Sequence, residues 1–135
     1  MDKLIKKYEL KKVNIDDMVI ELHEYGEMNG WSKQKIKNKK KELRLVHDNT
    51  LQFYNKILRG FNKPEQKSYK KAKMILKHKI FASVVDIMNE EYINHKNEKK
   101  LKEYLRNNPE KKYSKSKAKD KGYKIFLVEI VNQQP

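Results

Sequence analysis

Seven residues in this chain of 135 are outright helix breakers: Gly26, Gly30, Gly60, Gly122, Pro64, Pro109 and Pro135. Glycine carries a large backbone entropy, and proline lacks the amide donor that a helix needs. With so few breakers, and with apolar residues recurring at helical spacing, the sequence predicts a mainly α fold.

Several classes of protein are excluded at once. There is no cysteine, which rules out a disulfide framework, thiolate zinc sites and a cysteine nucleophile. No run approaches the ~18 apolar residues of a membrane span. The first twelve residues, MDKLIKKYELKK, contain lysine but no apolar core of a secretory signal. A cytoplasmic, nucleoid-associated protein is therefore expected. Thirteen aromatic residues and clustered Ile, Leu and Val argue against a disordered chain.

The spacing predicts about five helices in a single domain over 1–135. Residues 1–12 fit a short helix and a strand equally. Asn14 is a cap for a helix over 14–25, with the stripe Ile15, Met18, Val19, Leu22 and Tyr25, and Gly26 ends it. Ser32 caps a second helix to Val46, with Ile36, Leu43 and Val46 inward. Leu45 falls on its far face, which predicts an end or bend there. His47 to Thr50 reads as a turn, followed by a third helix over 51–58 that Gly60 stops. Pro64, with Asn62 as cap, opens a long helix whose stripe runs from Tyr69 to Ile87, and the stretch 80–88 is apolar nearly all round. Residues 97–107 form a last helix. Lys112–Ser116 and Tyr123–Val131 then read as a β-hairpin turning at Asp120-Lys121-Gly122.

Charge is the strongest functional signal. Thirty lysines and three arginines stand against 18 acids, giving a net charge of +15. Such a field attracts polyanions. The charge is segregated into blocks: net −5 over 13–32, +6 over 33–44, +6 over 63–79 and +8 over 96–124. Lysine contacts phosphate as a point charge, whereas arginine is the commonest reader of guanine, so its scarcity favours phosphate contact over base reading.

Two arrangements could present this charge to duplex DNA. In the first, helices 14–25 and 32–46 act as a helix-turn-helix, with Lys33, Gln34, Lys37 and Asn38 facing DNA and Lys40, Lys41 and Arg44 behind them. Gln34 and Asn38 suit adenine edges. In the second, helix 97–107 and the hairpin form a unit over 97–132 that resembles a winged-helix module in element order. Lys115, Lys117, Lys119 and Lys121 form the tip of its wing, and Lys99, Lys102 and Arg106 extend the surface. Lys70, Lys73 and Lys77 add a third basic face. Trp31, Phe61, Tyr113 and Tyr123 are candidates for stacking on single-stranded bases, although core packing is the commoner fate of such rings.

Enzyme chemistry has little support. The phosphate-loop and dinucleotide glycine patterns are absent. Glu91 and His95 make at most a lone pair of metal ligands. His47 and Asp48 are adjacent in sequence, which does not make them a catalytic dyad. The acidic face at Asp17, Glu21 and Glu24 could dock on a basic block of the same chain. The reading that results is a non-enzymatic DNA-binding protein with no cofactor, acting as a regulator or as a replication or partition accessory factor. A homodimer is expected from the unmet pairing of the last strand. The alternatives are an RNA- or ribosome-associated protein, a protein-binding inhibitor or virion component of incidental basicity, and last a metal-independent nuclease toxin.

Overall fold

The computed structural model describes residues 1–126. Seven α-helices follow in order: α1 (Asp2–Lys7), α2 (Ile15–Met28), α3 (Lys33–Gly60), α4 (Tyr69–Lys79), α5 (Val84–Met88), α6 (Glu98–Asn107) and α7 (Lys115–Asp120). Short 3-10 turns lie at Pro109–Lys111 and Lys124–Phe126. The described residues contain no strand.

The expected hairpin and wing are therefore corrected. Lys115–Asp120 is helical, and Asp120-Lys121-Gly122 is a helix end rather than a hairpin turn. Gly122 takes φ +83, and the Tyr123 and Gly122 amides donate to the carbonyls of Ala118 and Lys119. This is the Schellman pattern, which needs a left-handed residue after the cap. The Lys-Ser-Lys-Ala alternation matches a strand period but gives a strand no apolar face. As a helix it must cover only Ala118, which is buried. Residues 127–131 of the expected strand, and with them the basis for a dimer, lie outside the described residues.

The chain forms two compact units. The first comprises Met1–Lys56 and Glu65–Ala72. Its core gathers Tyr8, Leu10, Met18, Val19, Leu22 and Leu43, with Tyr25 and Trp31 packed against them. Helix α2 starts where expected, since the Asn14 side chain accepts from the Asp16 amide at 2.8 Å. It runs through Gly26, however, and its C-cap is Asn29. Gly26 is buried inside the helix, and a Cβ there would lie 2.7 Å from Ile36 Cγ1 and 2.8 Å from Trp31 Cε3. The glycine permits close approach and does not terminate the helix.

Helix α3 is one continuous 28-residue element. His47, read from sequence as part of a turn, lies inside it with 1% of its surface exposed. Its Nε2 accepts the Tyr69 amide at 3.2 Å, so Nδ1 carries the proton and donates to Asp48 at 3.1 Å. Asn55 similarly accepts the Gln66 amide and donates to the Gln66 carbonyl, both at 2.9 Å. Polar residues that look like turn formers are consumed by the segment 66–69. Residues 66–68 are not helical, and Ser68, rather than Asn62, caps α4 by accepting from the Lys71 amide.

The second unit comprises Ile57–Pro64 and the chain from Lys73 on. The expected long helix is broken at Ile80–Ser83. The Phe81 amide donates to Asn94 Oδ1 at 2.8 Å, and the Phe81 carbonyl accepts from the His95 amide at 2.8 Å. Ser83 then caps α5. Helix α6 begins as predicted, with Asn97 accepting from the Lys100 amide at 2.9 Å. Gly60 is the last residue of α3, where the sequence places the helix end, and it packs against the Tyr92 ring.

Candidate nucleic-acid interface

The first half of α3 owes its exposure to the hairpin that it makes with α2. Gly26 lies against Ile36, His23 Nδ1 lies 3.1 Å from Lys40 Nζ, and Asp16 accepts from Arg44 at 2.9 Å. As one helix is ascended the other is descended, so the two run antiparallel and stay in contact. A helix-turn-helix crossing of about 90–120° would part them within a few turns of the link.

At about 100° per residue, Ile36, Leu43 and His47 fall within about 20° of one direction, and all three are buried. Lys33, Lys37 and Lys41 follow one another at i, i+4 and i+8 on one flank, about 60°, 100° and 140° from the buried direction. All three are exposed, and none has an acidic partner among the described residues. Their spacing along the axis is about 6 Å per step. On the other flank Lys35 lies 4.6 Å over the Trp31 ring, and Lys39 pairs with Glu42 at 3.3 Å. Between the flanks Gln34 Nε2 donates to Asn38 Oδ1 at 3.0 Å. Asp48, 67% exposed at its side chain, ends the basic stretch.

The remaining basic residues divide into engaged and exposed groups. Lys40 and Arg44 are tied to α2 as described. Lys70 donates to the Leu10 carbonyl at 2.9 Å, which anchors the turn after α1. These eight residues, from Lys33 to Arg44 with Lys70, belong to the first unit. In the second unit, Lys77, Lys99, Arg106, Lys117, Lys119 and Lys121 are exposed. Lys73 is half-buried there, and Lys102 pairs with Glu98 at 3.4 Å. Lys115 opens α7.

The proposed stacking rings are packed. Trp31 makes edge contacts with Tyr8 and Tyr25 at 5.6 and 5.5 Å. Phe61 meets Tyr92 at 5.2 Å, and Tyr113 and Tyr123 are half-buried. The acidic face is partly used within the chain. Of Asp17, Glu21 and Glu24, Glu21 accepts the Lys11 and Lys12 amides at 2.8 Å each, and the neighbouring Asp16 holds Arg44.

A second polar constellation escaped sequence reasoning. Asp86 is fully buried. Its carboxylate meets Lys111 Nζ at 2.7 Å and accepts from the Tyr104 hydroxyl at 2.7 Å. Glu91 lies 3.7 Å from the same ammonium. The available signal was a carboxylate in the otherwise apolar stretch 80–88. Burial, with Asp86 as hydrogen-bond acceptor, pushes the Tyr104 phenol up to about 12. The hydrogen bond to Asp86 raises the Lys111 ammonium. His95 lies with its ring 4.5 Å from that of Tyr104, and burial lowers its pKa against the pull of Asp86. Glu91 and His95 both lie outside helices, so their spacing does not place them on a shared helix face. The described residues hold no group of three or more His, Asp or Glu able to bind a metal ion. A cavity of about 380 Å³ is lined by Asn14, Glu65, Gln66, Lys67, Ser68 and Lys71.

No protein-family model, curated protein or solved structure matches the chain. No helix among the described residues is long and apolar enough to cross a membrane.

Proposed function

We propose that the protein binds duplex DNA without catalysing a reaction, laying the first half of α3 along the phosphates. One observation carries this reading: Lys33, Lys37 and Lys41 form an exposed line on a continuous helix, with no acidic partner among the described residues. Neighbouring cations, by contrast, already have partners within the chain: Lys40 at His23, Arg44 at Asp16 and Lys70 at Leu10. Lysines that stabilise the fold are thus separable from lysines that the fold does not use. A net charge of +15 draws the polyanion in, and the aligned ammonium groups release counterions on contact.

A role as regulator, or as replication or partition factor, fits this chemistry. The packed aromatic rings weigh against single-strand stacking. The test is fluorescence anisotropy with labelled duplex DNA, single-stranded DNA and structured RNA across a salt series. The reading expects duplex DNA to bind tightest, with a steep salt dependence. Preference for structured RNA selects an RNA-associated protein instead. Negligible binding to all three at ~150 mM salt points to a protein partner.

A further inference from the structure

Leu45 poses a question that the fold does not answer. It is 63% exposed in the middle of a continuous helix, at a position where the sequence predicts a helix end. On the wheel of α3, Gln34, Asn38 and Leu45 lie about 160–200° from the buried direction. They therefore form the crest of the outer face. Lys37 and Lys41 lie on one side of this crest and Lys35 on the other. Glu42, beside the crest, is neutralised by Lys39 at 3.3 Å.

We infer that this crest reads A·T base pairs from the major groove. The inference rests on the duplex-binding function proposed above. A helix fits in the major groove with its outermost line at the base edges and its flanks at the phosphates of the two strands. The crest carries two amides and one aliphatic side chain. Adenine presents an acceptor at N7 and a donor at N6, which an amide matches, and thymine presents its C5-methyl group. The Gln34–Asn38 hydrogen bond fixes the two amides relative to each other. It leaves Gln34 Oε1 to accept from adenine N6 and Asn38 Nδ2 to donate to N7. Leu45 then has an apolar partner in a thymine methyl. From Gln34 to Leu45 the crest spans about 16 Å, close to five base-pair steps of about 3.4 Å. No arginine, the usual partner of guanine, stands on this line.

The test compares A·T-rich and G·C-rich duplexes of equal length with an A·T-rich duplex carrying deoxyuridine for thymine. The full chain is used, and Kd is measured over a salt series. The wild type should prefer the A·T-rich duplex by about tenfold or more. Deoxyuridine, which lacks the methyl group, should weaken binding by about fourfold. Leu45→Ala should lose that sensitivity to the methyl. Gln34→Ala with Asn38→Ala should erase the A·T preference while keeping the salt slope. All three side chains are exposed, and helical circular dichroism checks that the variants fold. Equal affinity for both compositions with a steep salt slope would overturn the inference and leave duplex binding standing. Absence of duplex binding would sink both. If Leu45→Ala kept the methyl sensitivity but lowered the sedimenting mass, Leu45 would belong to an interface with a second copy, and the inference would fail.

Discussion

Gly26 shows how a single residue can carry opposite meanings in sequence and in structure. An intrahelical glycine costs about 1 kcal/mol relative to alanine, so a fold that keeps one there has a use for it. Here the use is close approach: a methyl group would press on Ile36 and Trp31. Overpacking typically costs about 1–3 kcal/mol, which exceeds the propensity gain. Gly26→Ala should therefore lower the urea midpoint, and it should cost less in a chain that already carries Ile36→Ala. A rise in midpoint for Gly26→Ala alone would show that the helices do not approach so closely. Leu45 makes the converse point. Its position on the wheel was legible, but a reading that required every leucine to be covered turned an exposed crest into a false helix end.

At the scale of elements, three helix starts were legible, and so were the ends at Gly60 and Asn107; the starts of α4, α5 and α7 were not. Asn14, Ser32 and Asn97 each cap the helix that follows them, because a cap is a bond between residues two or three apart. Five of the described helices end on a left-handed residue, and most of these are not glycine: Glu9, Asn62 and Glu90 take positive φ alongside Gly30 and Gly122. The amide two residues after each cap closes the same Schellman bond, as in Leu10 to Ile5 and Trp31 to Gly26. The continuity of α3 was hidden because the run His47 to Thr50 has turn chemistry, whereas in the fold His47 stays helical and accepts the Tyr69 amide. The break between α4 and α5 was hidden because the apolar period runs through it unchanged. What holds that break is the pairing of Phe81 with Asn94 and His95. Since burial lowers the His95 pKa in the folded state, the unfolded chain binds the proton more readily. Its contribution to stability is present above the ordinary histidine value of about 6.5 and is lost as pH falls. The urea midpoint should thus decline from pH 7 to pH 5, and His95→Gln should flatten the part of that decline due to this group. An unchanged pH profile in the variant would remove His95 from the account.

At the scale of the whole molecule, the charge excess was legible from composition, but its division of labour was not. Sequence blocks treat Lys37 and Lys40 alike. In the fold one is exposed on the line that we assign to phosphate, and the other reaches His23. Likewise, Lys70 sits in a basic block yet serves the Leu10 carbonyl, and Lys111 serves a buried carboxylate. The wing reading failed for a related reason: a lysine-rich alternation has no apolar face to tell strand from helix, and Gly122 fits the end of either. The central claim is that three particular lysines, rather than net charge in general, bind the duplex. The most direct test is the slope of log K against log salt for duplex DNA, measured for the wild type and for Lys33→Ala, Lys37→Ala and Lys41→Ala combined. Each phosphate that is no longer neutralised should reduce the slope by about 0.9, so the variant should be shallower by about 2.7. An unchanged slope would contradict the account.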